Sequence, residues 1–317
     1  MRLIDVHMHY TTPYYRKVME QTGKIFADLC VLPPWDYDLM MQFLDGIGAT
    51  EAVLSASSPN QSYGDKAVAL DLTRESNETG AGYCAKNPEH LALAIALPLP
   101  YVEESLAEIA YGYDTLGCDA VRILSNSCGI YPGDPSTEAV FAELNRRNSV
   151  VILHPTTPPC MPEKTLTSLS VPIFEFFAET ARAVFTLILS GTLRRYPDIK
   201  FVVPHNAGLI MPMLERVGRL FNVYSIDLPE CEPVEDIVGE AAKLYYDIAG
   251  DPFPRQLDTL LTVADPTHIT FATDFPWNTV PRANEIKNQF LEQPGVSQYS
   301  EMIFYQNAVK LFPRFDY

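Results

Sequence analysis

The sequence predicts an α/β fold of the (β/α)8 TIM-barrel type, and three observations carry that prediction. Short apolar runs alternate with stretches of helical periodicity from one end of the 317 residues to the other. Eight such units in one chain of this size fit a closed barrel. A doubly wound open sheet would carry a glycine-rich phosphate turn after its first strand, and His7-Met8-His9 stands there instead.

The candidate strands are Leu3–His7, Ala52–Ser57, Leu91–Leu97, Ala120–Leu124, Val150–His154, Phe201–His205, Leu244–Ile248 and Ile269–Asp274. Between them lie helix signals. Asp36 can cap a helix whose apolar face carries Leu39, Met40, Phe43 and Leu44, with Gly46 and Gly48 near its end. Asp65 can cap a second that stops near Gly80, and Glu103 and Glu104 open a third bearing Leu106 and Ile109. Further helices are expected over Thr137–Arg147, Phe174–Leu193, Gly208–Leu220, Val234–Lys243, Pro254–Val263, Pro281–Leu291 and Gln298–Phe312. Tyr10–Pro34 and the proline-dense Pro155–Pro172 read as long loops at the C-terminal mouth of the barrel. No linker interrupts the pattern, so residues 1–317 read as one domain.

Composition narrows the partners. The 47% of apolar residues suffice for a full core. With 23 Lys and Arg against 40 Asp and Glu, the formal net charge is −17, which repels nucleic acid and anionic membranes. The same field would repel a carboxylate substrate, so a local cation is needed, and a bound metal is the obvious source. Cys30, Cys84, Cys118, Cys128, Cys160 and Cys231 form no C-x-x-C pair and read as buried, reduced thiols. Neither a signal peptide nor an apolar run long enough for a bilayer is visible, so a cytoplasmic protein is expected.

Side chains alternate along a strand, so His7 and His9 share a face and make a good ligand pair for a first-row divalent ion. H-x-H alone is weak, because two satisfied structural histidines look the same. The other scarce histidines change that. His154 closes Val150-Val151-Ile152-Leu153, His205 closes Phe201-Val202-Val203-Pro204, and Asp274 closes the last apolar run. In a parallel barrel all strand C-termini meet at one face, so these five groups converge on a shared metal site. His90 and His268 sit in turn contexts and read as solvated loop residues.

These residues, with Glu143-Leu144-Asn145-Arg146-Arg147, His154-Pro155-Thr156, Ser190-Gly191-Thr192-Leu193, Tyr196-Pro197-Asp198, Tyr246-Asp247, Thr273-Asp274-Phe275-Pro276 and Asn307-Ala308, resemble the amidohydrolase superfamily over nearly the whole chain. The closer resemblance is to its decarboxylase branch, the aminocarboxymuconate-semialdehyde decarboxylase-like proteins. Around Trp35 and from Glu143 to Pro159 it is most like 6-methylsalicylate decarboxylases. Two segments depart from the branch: Asn206-Ala207-Gly208 follows the fourth histidine, and Ala272-Thr273 precedes the last acid.

The resemblance implies one divalent ion held by His7, His9, His154 and Asp274, with zinc expected and manganese its rival. It implies that His205 stands beside the metal and that Asp274 and His205 are catalytic. The implied reaction is non-oxidative decarboxylation of a small aromatic, hydroxybenzoate-like, or dienoic carboxylic acid. Hydrolysis of a lactone or amide on the same ligands is the alternative, and a non-catalytic metal-binding protein is a third reading. Arg182 and Arg216 are candidates to hold the substrate carboxylate, as is Arg122, with structural salt bridges as the competing reading. Trp35, Phe275 and Trp277 are candidates for an aromatic wall. A homodimer is implied by the resemblance alone.

Overall fold

The structure is a computed structural model and describes residues 1–22, 28, 30–57, 65–160, 170–224 and 231–317. In chain order the elements are β1 (Ile4–Tyr10), α1 (Pro13–Gln21), α2 (Tyr37–Ile47), β2 (Glu51–Ala56), α3 (Lys66–Cys84), β3 (Leu91–Ala96) and α4 (Val102–Tyr111). Next come β4 (Ala120–Leu124), α5 (Glu138–Arg146), β5 (Val150–His154), α6 (Glu175–Leu189), α7 (Thr192–Arg195) and β6 (Lys200–Val203). The chain ends with α8 (Leu214–Tyr224), α9 (Ile237–Ala242), β7 (Tyr245–Asp247), α10 (Gln256–Leu260), β8 (Ile269–Thr270), α11 (Val280–Glu292) and α12 (Asn307–Leu311). Each strand pairs in parallel with the next, in the order β1 to β8. Closure comes from Val6 N–H donating to Phe271 O at 3.1 Å, His9 N–H to Phe275 O at 2.7 Å and Asp274 N–H to His7 O at 2.9 Å. The expected (β/α)8 barrel is therefore what forms.

Two apolar layers hold it. Ile4, Val6, Val53, Ala92, Ala120 and Ile152 pack in one cluster, and Leu311, Phe312 and Phe315 from the C-terminal segment pack with them. A larger cluster joins the outer strand faces to the helices, with Met8, Leu54, Leu93, Val151 and Tyr246 meeting Met40, Phe43, Val184 and Leu187.

Strand β1 changes face part-way. Asp5 pairs with Ala52 but Met8 pairs with Leu54, so β1 carries one extra residue. Ile4 and Val6 pack in the inner cluster, whereas Met8 and Tyr10 pack in the outer one. The bulge thus lets His7 and His9 both face the lumen above an apolar inner layer. Asp5 seals it: its Oδ1 accepts from His7 N–H and Thr273 N–H, each at 3.1 Å, and its Oδ2 accepts from the Thr273 hydroxyl.

Several element boundaries differ from expectation, each for a local reason. The loop expected over Tyr10–Pro34 contains α1, because Thr12 caps it through Tyr15 N–H at 3.0 Å and Pro13 sits at its first position. The Pro155–Pro172 loop is irregular where described; residues 161–169 lie outside the described residues. The helix expected over Phe174–Leu193 divides into α6 and α7 at Gly191, whose φ is +75° and whose Hα side abuts Glu232. Helix α8 begins at Leu214 rather than Gly208, because Gly208 takes a φ of +53° and a short 3-10 turn over Met211–Met213 comes first. Of the thiols expected to be buried, Cys84 and Cys118 are, while Cys128 and Cys160 lie in exposed loop positions. Among the described residues no helix is long and apolar enough to cross a membrane.

Helix α3 does not stop near Gly80 but runs on to Cys84. Gly80 is there for contact: a Cβ would overlap the Tyr10 hydroxyl and lie 2.9 Å from Leu93 Cδ1. Tyr10 in turn donates to Ser76 O at 3.0 Å, pinning α3 to β1. Gly80→Ala is therefore expected to destabilise the fold by about 1–3 kcal/mol through overpacking, read as a lower urea midpoint at unchanged slope. An unchanged midpoint would show that α3 can move away freely.

Candidate active site

The five converging groups meet at the C-terminal mouth. One ligand atom each from His7, His9, His154 and Asp274 falls within a set whose members are all within 4.8 Å of one another. His7 Nε2 is 3.0 Å from His9 Nε2, and Asp274 Oδ1 is 3.5 Å from the first and 3.1 Å from the second. His205 Nε2 stands 3.6 Å from the other carboxylate oxygen of Asp274.

The far side of each ligand ring is tied down. His7 Nδ1 lies 2.8 Å from Asp247 Oδ2, His9 Nδ1 3.1 Å from Ser55 Oγ and His154 Nδ1 2.7 Å from Pro155 O. With Nδ1–H donated to Asp247 and to Pro155 O, the neutral tautomer of His7 and His154 leaves an Nε2 lone pair for the centre. Asp274 Oδ1 is buried without a hydrogen-bond partner among the described residues. Three convergent imidazole nitrogens and one orphaned carboxylate oxygen fit a first-row divalent ion.

The electrostatics agree. Burial pushes the His9 imidazole down to about 4, and burial with the neighbouring His9 and His7 rings holds His154 well below the ordinary imidazole range. Both rings are thus unprotonated near neutrality, the form that can ligate an ion. Burial also opposes charge on His7, but Asp247 and Asp274 outweigh it and raise that ring to about 9, so an ion binding its Nε2 would displace a proton from it. Burial would raise Asp274, yet His205, His9 and His7 around it keep the carboxylate well below its usual range. The centre favours positive charge between its acids.

A cavity of about 420 Å³ opens onto His154, His205 and Asp274. Its apolar wall is Phe176, Phe177, Ile173, Pro172 and Trp277, and its polar wall includes Asp28, Asp251 and Gln256. This size and lining suit a single small aromatic ring.

Other expected residues fall elsewhere. Trp277 lines the cavity, but Phe275 packs on Phe43 at 4.5 Å between centroids, and Trp35 stacks near Tyr83 in a separate cleft. Arg182 pairs with Glu179 at 3.1 Å and is 58% exposed, and Arg216 lies in a shallow groove beside Met213, Val217 and Tyr224. Neither Arg182 nor Arg216 lines the cavity, and among the described residues no other Lys or Arg does. Arg122 of β4 is buried close enough to His9 and His154 to oppose their protonation, although it does not line the cavity. His90 contacts Tyr317, and His268 packs on the Tyr245 ring.

Asp247 is the residue whose role the sequence reading missed. Its Oδ2 faces His7, and its Oδ1 accepts from His205 N–H and Ala249 N–H, both at 3.0 Å. The signal was present: like His154 and Asp274, it is a polar residue at the end of an apolar β run. Ser55, Gln256 and the Phe176-Phe177 pair carried no comparable pattern.

The family model described as Amidohydrolase matches residues 4–314. The chain belongs to the amidohydrolase family. Curated relatives of this amidohydrolase include the decarboxylase macB of Penicillium terrestre, 29% identical over 99% of this chain and 96% of that one. The 6-methylsalicylic acid decarboxylase of Penicillium expansum is 28% identical over 99% and 97%. Among solved structures, the 5-carboxyvanillate decarboxylase of Novosphingobium aromaticivorans, with bound manganese and 3-methoxy-4-hydroxy-5-nitrobenzoic acid, superposes with a TM-score of 0.87 at 21% identity, covering 98% of this chain and 97% of that one.

Proposed function

We propose that this amidohydrolase is a metal-dependent, non-oxidative decarboxylase of a small aromatic carboxylic acid. The observation that carries the reading is the three-histidine, one-aspartate cluster, whose His154 and Asp274 line one wall of a ring-sized cavity. Full-length similarity to named decarboxylases supports it. A divalent ion held by His7, His9, His154 and Asp274 would supply Lewis acidity toward the substrate carboxylate and a neighbouring hydroxyl. Manganese, present in the related carboxyvanillate enzyme, is the first ion to test, with zinc second.

The chain's own residues do the rest. Phe176, Phe177 and Trp277 sandwich the ring and exclude water. The ring carbon that loses carbon dioxide must gain a proton; Asp274, a carboxylate at rest, would take that proton up from solvent by way of His205 and pass it to the carbon. His205, 3.6 Å from Asp274 Oδ2, steadies that carboxyl group and hydrogen-bonds the substrate. Residues 1–317 act as one domain in this reading, which the match over 4–314 supports. A cytoplasmic homodimer belongs to the same reading; Ile173 and Phe174, 62% and 56% exposed beside the cavity, suit a covered interface.

The test is a panel of hydroxybenzoates, 6-methylsalicylate included, offered to protein loaded with manganese or zinc. Stoichiometric carbon dioxide release, abolished by a chelator and restored by the ion, is the expected result. Ring opening of lactones with no carbon dioxide from any acid would replace this reading with a hydrolase.

A further inference from the structure

The cavity's polar wall says more about the substrate than its metal ligands do. Gln256 opens α10 and lines the cavity. Its Oε1 is buried and has no hydrogen-bond partner among the described residues. A buried carbonyl oxygen without a donor costs about 1–3 kcal/mol, so one that lines a cavity calls for a partner such as a water, an ion or a ligand. Around it the cavity offers other acceptors. Asp28 lines it, with Oδ1 accepting from Thr157 N–H at 3.0 Å, and Asp251 stands at the rim beside Arg282.

With Asp251 paired to Arg282 and Asp274 turned to the histidine cluster, this part of the wall offers a substrate no cation among the described residues and no partner for a second carboxylate. It suits a hydrogen-bond donor. A phenolic hydroxyl is the ring substituent that satisfies a carboxamide in either orientation, because it both donates and accepts.

We infer that Gln256 is a specificity-determining residue that binds a ring hydroxyl of an aromatic monocarboxylate, a hydroxyl additional to the one beside the carboxylate. This rests on the decarboxylase reading for the identity of the ring acid, but it concerns binding and can be read without turnover. In this inference Asp274 and His205 address the carboxylate end of the ring, and Gln256, from the start of α10, addresses the added hydroxyl.

The experiment measures dissociation constants by quenching of tryptophan fluorescence, to which Trp277 in the cavity contributes, with calorimetry alongside. Manganese-loaded protein is titrated with 2-hydroxybenzoate and with each of its four ring-dihydroxylated homologues. Wild-type protein is expected to bind at least one dihydroxybenzoate about tenfold more tightly than 2-hydroxybenzoate, the value of one net hydrogen bond. In Gln256→Leu that advantage falls to about onefold, while 2-hydroxybenzoate affinity and bound manganese stay unchanged. Gln256→Glu, which keeps the size and the acceptor, retains the preference and serves if the leucine variant folds poorly. No dihydroxybenzoate advantage in wild type, or an advantage that survives in Gln256→Leu, overturns the inference. Carbon dioxide is assayed separately on the same samples. Gln256-dependent binding with no carbon dioxide from any acid would sink the decarboxylase reading and leave the specificity role standing.

Discussion

Asp274→Asn is expected to lower kcat on the order of 100- to 10,000-fold, the range for removing a positioned acid, with the fold left intact. Asparagine keeps an oxygen for the ion but has no proton to deliver. Asp274 sits at φ +63°, in the left-handed region that asparagine tolerates better than most residues. Its backbone N–H, which donates to His7 O at 2.9 Å, is untouched. Steady-state kinetics, bound-metal analysis and thermal melting on one preparation separate the effects. Near-normal turnover with full metal would remove Asp274 from proton transfer and leave it a ligand only.

The second large effect should come from Asp247→Asn, a residue that touches neither cavity nor ion centre. One carboxylate there serves two masters: Oδ2 fixes His7 Nδ1–H, and Oδ1 takes the N–H groups of His205 and Ala249. An amide cannot do both. If its NH2 faces His7, it donates to Nδ1, forces the other tautomer and turns an Nε2–H toward the ion. If its oxygen faces His7, the NH2 meets two backbone donors. Either orientation should weaken metal affinity by about 10- to 100-fold, measured by competition with a chelating dye. An unchanged affinity would mean that His7 is oriented by its packing rather than by Asp247.

The fold was readable because polar residues end apolar runs. Val150-Val151-Ile152-Leu153 before His154 announces both a buried strand and the face its last side chain reaches, and eight such runs leave little choice of architecture. The convergence of His7, His9, His154 and Asp274 was readable for the same reason. The cavity wall was not. Phe176 and Phe177 sit on a helix whose periodicity reports burial and cannot say that the buried face borders a cavity. Arg182 and Arg216 looked like anion holders by residue type, but one sits against Glu179 and the other on an outer groove. Side-chain destinations across loops depend on contacts far apart in the chain, as when Asp28 reaches Thr157.

The extra residue in β1 has an evolutionary corollary. Below it the strand keeps phase with the greasy interior; above it the same strand is out of step by one, and both imidazoles point where they can chelate. Deleting a single codon there would restore perfect alternation and aim those rings at the surrounding helices. A tidier strand would thus cost the protein its metal, so the irregularity is the part of β1 that selection for catalysis must protect.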